Sequence, residues 1–256
     1  MNAFDMVNFP SEYAKKIIGI EEFQIDQKKL AVFGYPRCDI FFNIEKNKER
    51  RSQKNQASKY FSDTQKEEKI LLYTPTWRPY EYDFPLSYMS QFDFEKFNNW
   101  LKENRMLFFY STHSNNAPKN LPRGLKRIIK LDQKIDPLFD INNFMQEVDI
   151  LVNDYSTTST DFAILNRPQI FFMPDFNKYK LSKGFTEDYR KILPGKEVFD
   201  YSEFTETILE AIQNEQKYIS NYETKANELL LKYFDKKNSH SLEKINAFIQ
   251  KIFDMD

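Results

Sequence analysis

Ile150-Leu151-Val152-Asn153-Asp154-Tyr155-Ser156-Thr157-Thr158-Ser159-Thr160-Asp161-Phe162-Ala163-Ile164-Leu165 is the stretch that decides how this chain folds. Its first three residues are apolar and mostly branched, too short a run for a helix, and read as a buried strand. Phe162-Ala163-Ile164-Leu165 continues a helical period that stops at Asn166-Arg167-Pro168, where the proline forbids further helix. The five hydroxyl residues from Ser156 to Thr160 therefore lie where a strand turns into a helix. Such a corner presents unpaired backbone N–H groups and the positive end of a helix dipole, which together favour a phosphate. A plain N-cap would need only one or two such residues, so the run fits either a cap or an anion site.

Outward from this corner, short apolar strands alternate with helices. Strands are expected over 69–73, 106–110, 127–131, 150–153 and 169–173, and helices over 92–103, 140–147, 202–213, 216–233 and 239–253. Upstream, a helix over 11–18, which Ser11 could cap, and a strand over 29–33 precede the Gly34-Tyr35-Pro36 turn. The charged run Lys46, Lys48, Glu49, Arg50 and Arg51 reads as a solvated helix face. Strands that are apolar throughout and separated by helices predict an α/β fold: a Rossmann-like parallel sheet with helices on both faces. Ligands of such sheets bind beyond the carboxyl ends of the strands, where Arg78, His113 and the Ser156 run all fall.

Composition narrows the function by exclusion. The chain has 256 residues, enough to bury a sizeable core. Its 37 basic and 38 acidic residues create no global field toward nucleic acid or membrane. One cysteine rules out an internal disulfide and fits a reducing, cytoplasmic compartment. No apolar run approaches the ~18 residues needed to span a bilayer, and Met1-Asn2-Ala3-Phe4-Asp5 does not read as a signal peptide. With 25 Phe and 15 Tyr against 5 Gly, the core should be bulky and aromatic. Two distant histidines and one cysteine give no zinc pattern, no glycine-rich phosphate loop is present, and no cofactor is expected.

Several segments, taken in order, resemble the signature of the CDP-glycerol glycerophosphotransferases, which build teichoic acids and related phosphate-linked capsule polymers. They are Gly34-Tyr35-Pro36-Arg37-Cys38-Asp39, Tyr73-Thr74-Pro75-Thr76-Trp77-Arg78, Asp154-Tyr155-Ser156-Thr157 with Asp161-Phe162, and Arg167-Pro168-Gln169-Ile170-Phe171-Phe172. Lys183-Gly184-Phe185 with Asp188-Tyr189, then Leu193-Pro194-Gly195, completes the set. The chain departs from the family at Cys38, where asparagine is usual, at Ser114, where proline follows the histidine, and at Lys183, where arginine is usual. The matches span roughly residues 9 to 212, and their ordered co-occurrence is far more specific than any one of them.

The resemblance implies a fold like the C-terminal domain of a GT-B glycosyltransferase. Residues 66–256 would form the nucleotide-donor domain with its closing helices, and 1–65 a remnant of the inter-domain region and the first half. It implies transfer of glycerol phosphate or ribitol phosphate from a CDP-alcohol to a hydroxyl of a growing polymer or lipid-linked acceptor. Ser156, Thr157 and Thr158 would cradle the diphosphate, with Arg78 adding charge. His113 would stabilise the transferred phosphate or protonate the leaving CMP. Asp161 would cap or orient the phosphate loop. Asp154, Asp136, Lys183 and Gly184 are weaker candidates, and His240 reads as a solvent-exposed cap. The family is thought to take a general base from its first half, for which this sequence has no candidate, so a partner N-terminal half is expected. The inner membrane face is the expected workplace; Lys119, Arg123, Lys126, Arg127 and Lys130 could contribute, although a solvated loop and strand edge explains them better. Two other readings share these residues: a GT-B glycosyltransferase using a nucleotide sugar, and a non-catalytic CDP-alcohol-binding module.

Overall fold

A computed structural model describes residues 5–61, 68–80, 84–112, 122–131, 135–185, 188–234 and 240–253. Two short strands, β1 (Val7–Phe9) and β2 (Leu30–Val32), pair in parallel apart from the rest. Between them a helix, α1, begins at Glu12–Ala14 and passes into a π-helical stretch over Lys15–Glu22. The Ser11 hydroxyl accepts the Ala14 N–H at 3.0 Å, the cap expected of a serine before a helix.

Six strands form the main sheet: β3 (Lys69–Tyr73), β4 (Met106–Tyr110), β5 (Ile128–Lys130), β6 (Ile150–Asn153), β7 (Gln169–Phe171) and β8 (Lys196–Glu197). All are parallel, in the order β5-β4-β3-β6-β7-β8. The chain thus builds outward from β3 in one direction, returns beside β3 with β6, and builds outward again. That is the strand order of a doubly wound nucleotide-binding sheet, with its crevice between the carboxyl ends of β3 and β6.

Both faces of the sheet are covered, which is why its strands carry no polar alternation. On one face Leu71, Tyr73 and Phe108 pack under Phe97 and Leu101 of α4 (Phe94–Glu103) and Phe204 and Ile208 of α8 (Tyr201–Gln213). On the other, Ile70, Leu72, Phe109 and Leu151 meet Phe144 of α5 (Ile141–Met145) and Phe162 of α6 (Thr158–Ala163). Rings interlock edge-on, with Phe97 and Phe108 at 5.1 Å and Phe109 and Phe144 at 4.9 Å. The remaining helices are α2 (Ile44–Gln53), α3 (Asn55–Tyr60), α7 (Phe176–Lys183), α9 (Glu215–Phe234) and α10 (Ser241–Phe253).

The charged run is only partly a solvated face. Lys46, Lys48 and Glu49 are exposed, but Arg51 turns inward onto Asp149 at 2.8 Å and forks Glu215 through both terminal nitrogens. Asp149 also takes Lys54 at 3.2 Å and the Ile70 N–H at 2.9 Å, tying α2 and α3 to the start of β3. Arg167 caps α5 from outside. Its Nη1 donates to the carbonyls of Gln146 at 2.8 Å and Val148 at 2.7 Å, groups the ended helix leaves without partners. Burial and the neighbouring Arg51 push the Arg167 pKa down to about 10. Strands β1 and β8 and helix α7 have no counterpart in the sequence expectations. The two strands are too short to show a period, and α7 carries none.

Candidate functional site

The crevice between β3 and β6 is laced shut by side chains from both strand ends. Thr74 Oγ1 donates to Asn153 Oδ1 at 3.2 Å, and Asp154 accepts from the Thr76 N–H at 2.9 Å and its hydroxyl at 2.7 Å. Arg78 lies inside this lacing. Its Nη1 donates to Asp154 and to the Thr76 carbonyl, and its Nε and Nη2 donate to Asp175 at 3.0 and 2.9 Å. Burial opposes its charge, but Asp154 and Asp175 more than offset that, and its pKa is raised. The Asp175 pKa falls: burial pushes it up, and the hydrogen bonds from Arg78 and Tyr80 outweigh that. Tyr155 adds its hydroxyl to Asp175 at 3.0 Å and stacks on Tyr179 at 4.1 Å. The structure thus places Arg78, expected against a phosphate, inside the clamp and off the cavity described below. Its side chain has no exposed surface and each of its three nitrogens is engaged, so it clamps the ends of β3, β6 and β7 together.

Beside this clamp the β6–α6 corner opens into a cavity of about 400 Å³. Tyr155, Ser156, Thr157, Ser159, Thr160 and Asp161 form one wall. The five hydroxyls divide their work. Ser156 Oγ accepts the Thr158 N–H at 3.3 Å and pairs with the Thr158 hydroxyl at 2.8 Å. Thr157 is exposed at the N-cap position, and its side chain makes no capping bond. Ser159 is buried against Gln169, giving its hydroxyl to Oε1 at 2.8 Å while its carbonyl takes Nε2 at 3.0 Å. Ser156, Thr157 and Thr160 are left on the wall, half-buried or exposed, where an anion could reach them. Thr158, expected in the cradle, is not part of the wall and instead braces Ser156.

Among the described residues, the cation that lines this cavity is Arg37. It arrives on a single 3₁₀ stretch, Pro36–Phe42, and its Nε and Nη2 reach Asp161 at 2.8 and 3.3 Å. Its guanidinium lies 4.0 Å from the Tyr35 ring centroid, and the side chain is 42% exposed. Among the described residues Nη1 makes no hydrogen bond, in contrast to the fully engaged Arg78. Partial burial opposes its charge, yet Asp161 holds its pKa above the usual value. Asp161 thus serves as an anchor for the arginine, on the first turn of α6 where a carboxylate also suits the helix dipole. Burial pushes the pKa of the adjacent Cys38 thiol up, so that it stays protonated.

The other expected residues scatter. Gly184, at φ +74 with open space around it, lines the cavity beside Phe185, Tyr189 and Leu193. Lys183 lies over the Trp77 ring at 5.1 Å and is not on the wall. Asp154 belongs to the clamp, and Asp136 is buried with Lys59 at 2.8 Å, away from the cavity. His113 and Lys119 lie outside the described residues. His240, exposed, pairs with Glu243 at 3.1 Å at the start of α10. Of the basic stretch, Arg123 and Lys126 are exposed and Arg127 pairs with Glu68. The far wall is apolar, built from Pro10, Ala14 and Ile18 near α1 and from Leu229, Tyr233 and Phe234 of α9. Among the described residues no His, Cys, Asp and Glu cluster could hold a metal, and no helix is long and apolar enough to cross a membrane.

Comparison with known proteins bears on family and fold. The family described as CDP-Glycerol:Poly(glycerophosphate) glycerophosphotransferase matches residues 1–249. Teichoic acid glycerol-phosphate primase of Bacillus subtilis (strain 168) is 27% identical over 224 residues, 85% of this chain and 51% of that protein. Teichoic acid glycerol-phosphate transferase of Staphylococcus aureus is 26% identical over 84% of this chain and 54% of its own length. The chain therefore spans about half the length of these relatives. The wall teichoic acid polymerase TagF, in a variant soaked with CDPG, superposes with a TM-score of 0.77 at 23% identity, over 99% of this chain and 59% of that one. An MnaA–UDP co-structure from S. aureus follows at 0.54 and 15% identity, over 98% of this chain and 62% of that one. Both likenesses bear out the doubly wound α/β fold.

Proposed function

The chain belongs to the CDP-glycerol:poly(glycerophosphate) glycerophosphotransferase family, and we propose that it holds the CDP-alcohol donor of a glycerol- or ribitol-phosphate transfer, diphosphate against the β6–α6 corner. One observation carries this. The hydroxyls of Ser156, Thr157 and Thr160 and the guanidinium of Arg37 line the same cavity, so neutral donors and a fixed positive charge face one volume. A diphosphate needs both, because hydroxyl and N–H donors alone leave its charge uncompensated.

In the transfer an acceptor hydroxyl attacks the phosphorus that carries the glycerol. A new phosphodiester P–O bond forms, the P–O bond to CMP breaks, and the hydroxyl proton passes to a base. The residues of this site act on the leaving side. Charge that builds on the departing CMP oxygens is met by donors already in place, which lowers the barrier without reorganisation. His113, three residues after β4 in sequence, is proposed to stand at the reacting phosphorus. Residues 66–256 would form the donor domain, with 1–65 linking it to an acceptor-side half that works at the membrane surface, on a polymer or lipid-linked acceptor.

Calorimetric titration with CDP-glycerol, CDP-ribitol and UDP-glucose tests the donor. Preference for a CDP-alcohol supports the proposal, and preference for UDP-glucose would replace it with sugar transfer. Release of CMP in the presence of a lipid-linked glycerophosphate acceptor and a separately supplied N-terminal half tests the transfer. Donor binding without release under those conditions would leave a binding module.

A further inference from the structure

Arg37 is aimed at the cavity by parts of the chain about two hundred residues away. Gly34 sits at φ +90, and a Cβ there would stand 2.3 Å from Ser241 Oγ, so the turn and the start of α10 touch at a distance open only to glycine. The Asp39 carboxylate accepts the N–H groups of Ser241 at 3.1 Å and Leu242 at 3.0 Å, capping α10 from outside the helix. Phe248 of α10 packs on Phe33 at 5.4 Å. From the opposite side Asn8 of β1 grips the same turn, through the Gly34 carbonyl at 2.8 Å and the Phe33 N–H at 2.9 Å. Arg37 stands between Gly34 and Asp39, at the start of a seven-residue 3₁₀ stretch longer than such helices usually run unaided. Helix α9, which leads to α10, supplies Leu229, Tyr233 and Phe234 to the cavity wall.

On the donor-site reading above, we infer that α10 is a clasp: its N-terminus, seated on Gly34 and Asp39, sets the position of Arg37, and Asp39 is a positioning residue for phosphate recognition although it does not line the cavity. A 13-residue helix is marginal alone and stays in place only through such contacts. Asp39 contributes a full charge on two orphan donors at the positive end of the helix. Released, α10 would leave the 36–42 stretch held by buried Cys38 and Phe41 but without its hold on Asp39, and the guanidinium would drift from Asp161 toward solvent.

Affinity for CDP-glycerol, measured for the wild type, Arg37→Ala, Asp39→Ala and the double variant, tests the inference. Each single change should weaken binding about tenfold or more, and the double variant should be no weaker than Arg37→Ala, because the clasp acts through the arginine. Cytidine, which has no phosphate, should bind all four equally, and Asp39→Asn, which keeps an acceptor oxygen, should recover part of the loss. Wild-type affinity in Asp39→Ala, or losses that add in the double variant, would overturn the clasp. Should Asp39→Ala fail to fold, Phe248→Ala undocks the same helix from a different contact. A ligand-free readout separates this from the donor assignment. The Arg37 Nε–H resonance in ¹⁵N-labelled protein should shift and broaden in Asp39→Ala and Phe248→Ala, and an unmoved resonance rejects the clasp whether or not the donor binds.

Discussion

Arg37 and Asp161, 124 positions apart in sequence, meet at 2.8 Å on the wall of the cavity, while Arg78, five residues beyond β3, lies buried between Asp154 and Asp175. Two arginines near one site thus do opposite work. A guanidinium with both carboxylate partners and no exposed surface is a strut. One with a single carboxylate partner and exposed nitrogen is positioned to bind.

Arg37→Ala should weaken CDP-glycerol binding by ~1.5–3 kcal/mol, the range for hydrogen bonds to a charged group. Arg37→Lys should keep only part of the affinity, since an ammonium cannot fork. Isothermal titration measures both, and equal affinity for all three proteins would remove Arg37 from the site.

Arg78→Met should act on folding. Removing one partner of a buried ion cluster leaves Asp154 and Asp175 uncompensated, at a cost of roughly 3–5 kcal/mol. Urea denaturation reads the loss directly. An unchanged midpoint with lost donor affinity would instead return Arg78 to the phosphate.

The hydroxyl run should split by position. Ser156→Ala with Thr157→Ala should lower donor affinity by ~1–3 kcal/mol at little cost in stability. Ser159→Ala should do the reverse, because its hydroxyl is bonded to buried Gln169. Binding and melting curves on the two variants give a crossed pattern, which a uniform phosphate cradle would not produce.

Stability on the acid side should depend on Asp149. Burial alone would raise its pKa, but Lys54, Arg51 and Lys69 pull it below the ordinary value. A depressed carboxylate contributes stability that is fully present above the unfolded pKa of ~3.9 and is lost as pH falls through the folded value. Glu147 opposes this above its own unfolded pKa of ~4.3, since burial raises its pKa despite the Gln56 and Ala57 N–H groups. Asp149→Asn should therefore cost about 3–5 kcal/mol near neutrality and flatten the decline below pH ~4. Urea titrations across that range check it, and an undiminished acid slope would assign the decline elsewhere.

Gly195→Ala should destabilise without touching the donor. A Cβ there would lie 1.9 Å from the Gln169 carbonyl oxygen, a backbone atom that cannot swing away. Strands β7 and β8 would have to part, an overpacking cost of ~1–3 kcal/mol or more, read as a lower melting temperature.

The parallel strands could be read from residues 69–73, 106–110 and 150–153, since burial on both faces requires continuous apolar runs. The strand-to-helix corner could be read as well, because an apolar strand, five hydroxyls and a helical period leave one place for the turn. Arg37 was in view, within the Gly34-to-Asp39 segment that resembles the family, but nothing in that segment says what it faces. Its partner lies 124 residues on, and the turn that aims it is held from α10. The partners of Arg78 were hidden for the same reason. A strand-end arginine beside a proposed phosphate site suits either task until the neighbouring carboxylates are placed.

What the sequence determined by itself was local and periodic: the alternation of strand and helix, the parallel sheet, and the corner that carries the hydroxyl run. Those follow from steric and solvation rules acting over a few residues. Which hydroxyls reach the cavity, which arginine stands free of a second carboxylate, and which helix keeps it there were decided by tertiary contact alone. A side chain's charge is fixed by its chemistry, but what that charge is available to bind depends on what packs beside it.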